Sequence, residues 1–283
     1  MPTTPFALRR ATVLVSAVLV ALGVCGEARA QGKLDARYTA SLAGIPLGRG
    51  AWVIDITDDQ YTAAASGATT GLLRVFASGE GAGASRGRIN GSGLIPSSYA
   101  ATVTADKKTE EIRIHLNGGT VKELEVDPPT TPHPDRVPLT EAHQRGVTDP
   151  MTAALVRVAG TGDPLGPEAC HRTLPIFDGR MRYNLQFSYK RMDKVKAEKG
   201  YEGPVVVCAV YFSPLAGHIP ERPAIKYLTE LRDMEVWLAP VAGTRVLVPF
   251  RVSIPTPLGL ALLQANQFVT SAQPRRATSA KSQ

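Results

Sequence analysis

The sequence has few of the residues from which metal and redox sites are usually built. It contains three cysteines and five histidines in 283 residues. None of the histidines stands at metal-ligand spacing from another, and neither His-Glu-x-x-His nor Cys-x-x-Cys occurs. The sequence therefore predicts no metal, no cofactor and no catalytic residue. The histidines are His115, His133, His143, His171 and His218.

Long apolar runs are also missing, except near the start of the chain. Arg9 and Arg10 precede the apolar run Ala11–Val24, and Ala28-Arg29-Ala30 places small residues where a signal peptidase cuts. The run is shorter than the roughly 20 residues that a membrane-spanning helix needs. We predict a cleaved signal peptide at residues 1–30, a mature chain that starts at Gln31, and a periplasmic location.

Two alternatives to a cleaved signal remain open. One is an uncleaved N-terminal anchor. The other is a lipoprotein modified at Cys25, which is disfavoured because Val24 stands where a small residue is expected. No later segment is apolar enough to span a bilayer, so the sequence predicts that the protein is not an integral membrane protein.

The charge is modest and the aromatic content is low. The signal carries three of the 32 basic residues and one of the 25 acidic ones, which leaves +5 on the mature chain. Only 6% of residues are aromatic and no aromatic-rich basic motif occurs, so nucleic acid is not an expected partner. The charge is compatible with an anionic lipid or cell-wall partner, but ordinary solubility is the explanation that we favour. The oligomeric state is not predicted.

Two cysteines, Cys170 and Cys208, remain after cleavage. An even pair in an oxidising compartment predicts a disulfide, and two separate buried thiols are the alternative. A bond that closes this 39-residue loop contributes roughly 4 kcal/mol in the chain-entropy model. His171 next to Cys170 would suit a thiol site only if the disulfide were absent.

Most of the mature sequence alternates with a period of two, which is typical of strands with one buried face. The first such series is Leu34, Ala36, Tyr38, Ala40 and Leu42. Short turn sequences such as Asn117-Gly118-Gly119 separate the strands. We predict a mainly β fold, with a strongly curved antiparallel sheet that forms a half-barrel, open barrel or spiral. One domain is expected at 31–272, followed by a disordered basic tail at 273–283.

The middle of the chain departs from this alternation. Asp127–Pro138 holds five prolines and predicts an extended connection. Thr148-Asp149-Pro150 offers a helix cap, and Met151–Val158 has helical spacing, which predicts one short amphipathic helix that ends near Gly160. Val205–Phe212 is almost wholly apolar, which predicts a strand covered on both faces. The halves on either side of the prolines form either two lobes or, as we prefer, one sheet.

Three polar or glycine-rich groups are candidates for chemistry. Glu141 and His143, with Asp135 and Arg136 nearby, are interpreted as capping and loop ion pairs rather than ligand contacts. Asp178, Arg180 and Arg182 suit a hairpin with a solvated face. Gly79–Gly83 favours a flexible or bulged strand.

Several segments resemble one known family. They are Ser41–Gly48, Thr70–Leu72, Asp149–Ala153, Phe177–Arg180 and Val207–Tyr211. Together they resemble the domain of unknown function 3108 family of exported bacterial proteins. The resemblance implies an envelope-associated β protein without assigned catalytic residues. It also suggests a curled sheet around a helix, as in lipoprotein-carrier proteins, although fold does not fix function.

Two functional hypotheses follow. The first is a non-catalytic envelope protein that binds a lipid-like ligand, a cell-wall component or an envelope protein on the concave face of its sheet. The second is a cell-wall or lipid hydrolase with an unrecognised site. We favour the first.

Overall fold

A computed structural model describes residues 31–70, 79–91 and 93–273. The predicted signal peptide and residues 274–283 of the predicted tail lie outside this range. Short 3₁₀ helices occur at Glu141–Gln144 and Pro167–Ala169. The helices and strands are β1 (Gly32–Leu42), β2 (Ile45–Ile56), β3 (Gln60–Thr69), β4 (Gly79–Asn90), β5 (Gly93–Ala105), β6 (Lys108–Asn117), β7 (Thr120–Asp127), α1 (Pro150–Ala153), β8 (Val156–Arg157), β9 (Arg172–Phe177), β10 (Arg182–Lys196), β11 (Lys199–Gly200), β12 (Glu202–Ala216), α2 (Pro223–Glu230), β13 (Met234–Pro240), β14 (Val246–Thr256) and β15 (Gly259–Ala272).

All of these strands belong to one sheet. The order is β7-β6-β5-β4-β3-β2-β1-β15-β14-β13-β12-β10-β9, with β8 beside β14 and β11 beside β15. Neighbours are antiparallel, apart from two residue pairs between β11 and β15. The strands before and after the proline stretch meet where β1 pairs with β15. The predicted curved antiparallel sheet is confirmed, and both halves of the chain contribute to the same sheet.

The two edge strands, β7 and β9, approach each other without direct pairing. Thr148 lies between them: its N–H donates to Pro175 O at 2.8 Å, and its carbonyl accepts from Phe177 N–H at 2.9 Å. On the other side, Val147 N–H donates to Gly119 O in the β6–β7 turn at 2.8 Å. We call this junction, with Val147 and Thr148 between the two edges, the seam.

Two large apolar clusters lie on opposite faces of the sheet. The first contains Leu34, Ile54, Tyr61 and Phe268 and fills the concave interior. The second packs β12–β14 against the loop that leads to β9 and against α2. Val205–Val210 in β12 is buried throughout; Val205 and Val207 belong to the first cluster, and Val206, Cys208 and Val210 belong to the second. The prediction that this strand is covered on both faces is therefore confirmed.

The predicted disulfide between Cys170 and Cys208 is present, with 5.4 Å between the Cα atoms. Cys170 ends the 3₁₀ helix at Pro167–Ala169, and Cys208 lies in the middle of β12. The bond therefore attaches the loop before β9 to the sheet at the second cluster.

The helix prediction was wrong in length and number. α1 stops at Ala153, because Val156 and Arg157 pair with Leu247 and Val246 as β8. The β-branched side chain of Val156 suits an extended chain, and pairing with β14 overrides the helical spacing. The second helix, α2, was not predicted, although Pro223 occupies its first position.

Candidate functional site

An apolar groove opens beside the two hairpin turns that connect β1 to β2 and β14 to β15. Its volume is about 710 Å³. The side chains that form its walls include Ala40, Leu42, Leu47, Val252, Ile254 and Leu263. We call this cavity the apolar groove.

The register of three neighbouring strands produces its floor. Ala40 pairs with Leu263, which also pairs with Val252. Two residues further along each strand, Leu42 and Ile254 both pair with Ala261. Residues directly opposite each other in an antiparallel pair point to the same face, so these rows form one continuous apolar surface.

The groove lies where the burial of β1 decreases, and two of its wall residues, Val252 and Ile254, also pack against the second cluster. Along β1, Leu34, Ala36 and Tyr38 are buried, whereas Ala40 and Leu42 continue the same alternation and are only partly buried. No charged residue occurs in 40–48 or 252–263, although 20% of the chain is charged. A contiguous exposed apolar surface of this kind commonly marks an interaction site.

Backbone geometry holds the two turns together at the mouth of the groove. Ala43 N–H donates to Leu260 O at 2.9 Å. Gly259 has φ +115°, and a Cβ there would lie 2.8 Å from the Cβ of Ala43, so a side chain does not fit. The turns present Ile45 and Leu258 to solvent with 64% and 76% of their surfaces exposed.

A smaller cavity of about 390 Å³ lies at the seam, above α1. Leu94, Ile95 and Leu174 give it apolar walls, and two arginines, Arg157 and Arg172, also line it. We call this cavity the seam pocket. A third cavity of about 650 Å³ lies over β1–β5 and carries charges of both signs.

Beneath the seam pocket, a buried polar network anchors α1. Asp149 is 0% exposed and caps the helix by accepting from the N–H groups of Met151 and Thr152 at 3.0 and 2.9 Å. Its other oxygen accepts from Thr152 Oγ1 at 2.6 Å and from Ser85 Oγ at 3.1 Å. Thr152 Oγ1 also bonds to the Tyr61 hydroxyl at 2.7 Å. Burial raises the pKa of Asp149, and the hydrogen bonds from Thr152 and Ser85 partly oppose this effect.

Ser85 belongs to the sequence Gly83-Ala84-Ser85-Arg86-Gly87, which matches the Gly-x-Ser-x-Gly pattern of hydrolase nucleophiles. In those enzymes the serine stands on a sharp strand-to-helix turn. Here all five residues lie inside β4, and Ser85 is 3% exposed. Its hydrogen bonds go to Asp149 and Thr152. The geometry therefore favours a structural role for Ser85.

The model of one protein family matches residues 37–264, and its description is protein of unknown function (DUF3108). The chain belongs to the DUF3108 family. No curated protein matches it. Among solved structures it is similar to a β-barrel-like protein of the domain of unknown function DUF1849 from Brucella abortus. That similarity has 9% identity and a TM-score of 0.47, and it covers 86% of this chain and 98% of the other.

In this DUF3108 chain the predicted polar groups do not converge on either cavity. Glu141 pairs with Arg145 at 3.0 Å, and His143 Nδ1 lies 3.2 Å from Thr140 N, as expected for capping and loop ion pairs. Arg136 donates to Gly217 O at 2.6 Å. Asp135 lies 3.9 Å from His133.

The hairpin at Asp178 is less solvated than predicted. Asp178 accepts from Arg180 N–H and Met181 N–H at 2.9 and 2.7 Å, and burial raises its pKa. Arg180 reaches across the seam to Glu110 at 3.2 Å, while Arg182 donates to Tyr183 O. The curvature of the sheet brings these elements together, and their spacing in the sequence gives no sign of it.

The remaining candidates are dispersed. His115 and His171 are exposed on separate elements, whereas burial lowers the pKa of His218. Gly79–Gly83 is the regular start of β4, and the register shifts later, between Arg86 and Gly87, where β5 carries the extra residue. Within the described residues, His, Cys, Asp and Glu form no group of three or more that would hold a metal. In the same part of the chain no helix has the length and apolarity needed to cross a membrane.

Proposed function

We propose that this protein is a non-catalytic binding protein of the bacterial cell envelope that holds the acyl chain of a lipid-like ligand in the apolar groove. The observation that carries the proposal is an open, charge-free groove of about 710 Å³. This volume falls within the roughly 300–1,000 Å³ of typical small-molecule sites.

The lining of the groove favours an acyl chain over the other ligands of the same hypothesis. A cell-wall sugar or peptide needs several hydrogen-bonding side chains, because buried polar groups without partners are costly. The walls instead consist mainly of Ala, Val, Ile and Leu side chains, with Ser41 and Thr256 at the margin. No titratable side chain lines the groove among the described residues, so the groove offers no acid or base for hydrolysis.

Binding of Nile red, an uncharged apolar dye, tests the proposal on the mature chain 31–283. Leu263→Asn and Leu258→Asp each place a polar or charged side chain against the bound dye. We expect each variant to weaken dye binding about tenfold or more, because burying a leucine side chain contributes about 1.5–3 kcal/mol. The dye should bind the unaltered protein with increased fluorescence.

Val103→Asp is the matched control. Val103 is 52% exposed on β5, outside the groove, so the same change there should leave dye binding within about twofold of the unaltered protein. If Val103→Asp weakens binding as much as Leu258→Asp, the dye does not report on the groove and the proposal is wrong.

A further inference from the structure

The seam pocket combines apolar walls with two cationic side chains that have no anionic partner. Arg157 and Arg172 both line it. Neither forms an ion pair with any carboxylate in 31–70, 79–91 or 93–273, whereas Arg180 pairs with Glu110 and Arg191 with Glu235.

The two guanidinium groups are held in place by backbone carbonyls. Arg157 donates Nε and Nη2 to Gly91 O at 3.0 and 2.7 Å. Arg172 donates Nη1 to Arg157 O at 3.0 Å and Nη2 to Glu168 O at 3.3 Å. Because neutral carbonyls accept these bonds, the positive charges remain uncompensated in a fixed position.

Spare donors remain at both side chains. Nε of Arg172 is buried and has no hydrogen-bond partner. Nη1 of Arg157 has none among the described residues. Nε of Arg172 is closed off from the cavity, so Nη1 of Arg157 is the donor at which a ligand oxygen is expected.

The local electrostatics favour an anion. Burial lowers the pKa of Arg157 and Arg172, and the nearby Arg245 lowers that of Arg157 further. Arg245 itself donates to Val158 O, Ala159 O and Gly162 O. Arg157 and Arg245 therefore repel each other, and a negative charge bound at Arg157 would relieve that repulsion.

We propose that the seam pocket binds an oxyanion, the phosphate or carboxylate of a small ligand, through Arg157 and Arg172. Guanidinium groups bind both oxyanions with strong charge-assisted hydrogen bonds. The pocket holds about 390 Å³, and Leu94, Ile95 and Leu174 offer an apolar surface to whatever carries the anion. This site shares no lining residue with the apolar groove and does not depend on it.

Calorimetric titration of the mature chain, at constant ionic strength, tests the proposal with four probes: inorganic phosphate, octyl phosphate, octanoate and octanol. At least one of the three anions should bind with a Kd below about 1 mM and about tenfold or more tighter than octanol. Similar binding of inorganic phosphate and octyl phosphate would identify a free anion as the ligand. Much tighter binding of octyl phosphate or octanoate would identify the head group of an amphipathic molecule.

Arginine variants locate the site. Arg172→Gln and Arg157→Gln should each weaken anion binding about tenfold or more, since each removes charge-assisted hydrogen bonds. Arg88→Gln removes the same charge from an exposed position on β4 and should stay within about twofold. Leu258→Asp, in the apolar groove, should leave the preference for octyl phosphate over octanol unchanged.

A measurement on the unaltered protein guards against variants that fail to fold. Phenylglyoxal modifies accessible guanidinium groups, and peptide mapping reports each arginine separately. Any of the three anions that binds in the titration should protect Arg157 and Arg172, but not Arg88, from modification by phenylglyoxal. The proposal is overturned if no anion binds more tightly than octanol, if Arg88→Gln weakens binding as much as Arg172→Gln, or if Arg157 and Arg172 are not protected.

Discussion

Replacing Asp149 by alanine should be one of the most destabilising single substitutions in the protein. The carboxylate is 0% exposed and accepts from two backbone N–H groups and two hydroxyls. Loss of the helix cap costs about 1 kcal/mol. Loss of the acceptor for Ser85 and Thr152 costs about 1–3 kcal/mol per hydroxyl. The lower end of this range applies because the Ser85 and Thr152 hydroxyls still bond to each other at 2.8 Å. The expected total is about 3 kcal/mol.

Urea unfolding at pH 8, followed by the fluorescence of Trp52 and Trp237, measures this loss. Asp149→Asn should cost about 1–2 kcal/mol, because its amide oxygen still caps the helix while its NH₂ faces the hydroxyls, which can rotate to accept. Asp163→Ala is the control. Asp163 is exposed and accepts one bond, from Leu165 N–H at 2.9 Å, so its loss should cost less than about 0.5 kcal/mol. The reasoning fails if Asp149→Ala stays within about 1 kcal/mol of the unaltered protein.

Three further predictions concern the disulfide, pH and processing. Replacing Cys170 and Cys208 by alanine should lower the unfolding free energy by up to about 4 kcal/mol, measured by urea midpoints, and a reductant should then have no further effect. Because burial raises the pKa of Asp149 above its ordinary 3.8, its contribution to stability is fully present below that pH and is lost as pH rises through the raised pKa. The cost of Asp149→Asn should therefore be largest near pH 4 and smaller at pH 8, and a cost that grows with pH would contradict this sign. N-terminal sequencing of protein from the periplasmic fraction should begin at Gln31, whereas Met1 or a lipid on Cys25 would refute the predicted signal peptide.

Much of the sheet could be predicted from the sequence because the alternation of Leu34, Ala36 and Tyr38 in β1 reflects one buried face of that strand. The fully apolar stretch in β12 likewise indicated cover on both faces. Where local patterns conflict with tertiary pairing, prediction failed. Ala154, Leu155 and Val158 fall at helical spacing from Met151, but Val156 and Arg157 between them pair with β14, and nothing nearby in the sequence shows that this partner exists.

The candidate sites were harder to predict because they depend on contacts between distant segments. A charge-free sequence at 252–263 was visible, but the groove exists only because β15 pairs with β1 and brings Leu263 beside Ala40. The seam pocket combines Leu94, Thr152 and Arg172 from three separate parts of the chain. Ser85 shows the opposite case, in which a local motif matches a hydrolase pattern and the fold buries it inside a strand.

Mass spectrometry of small molecules that copurify with the protein tests the central claim most directly. The protein should be purified from bacterial periplasm without detergent, beside the Leu263→Asn and Val103→Asp variants. The account predicts an acyl-chain compound bound to the unaltered protein and to Val103→Asp, and its depletion from Leu263→Asn. A cell-wall fragment in place of a lipid-like compound, or an acyl compound retained equally by Leu263→Asn, would contradict the account.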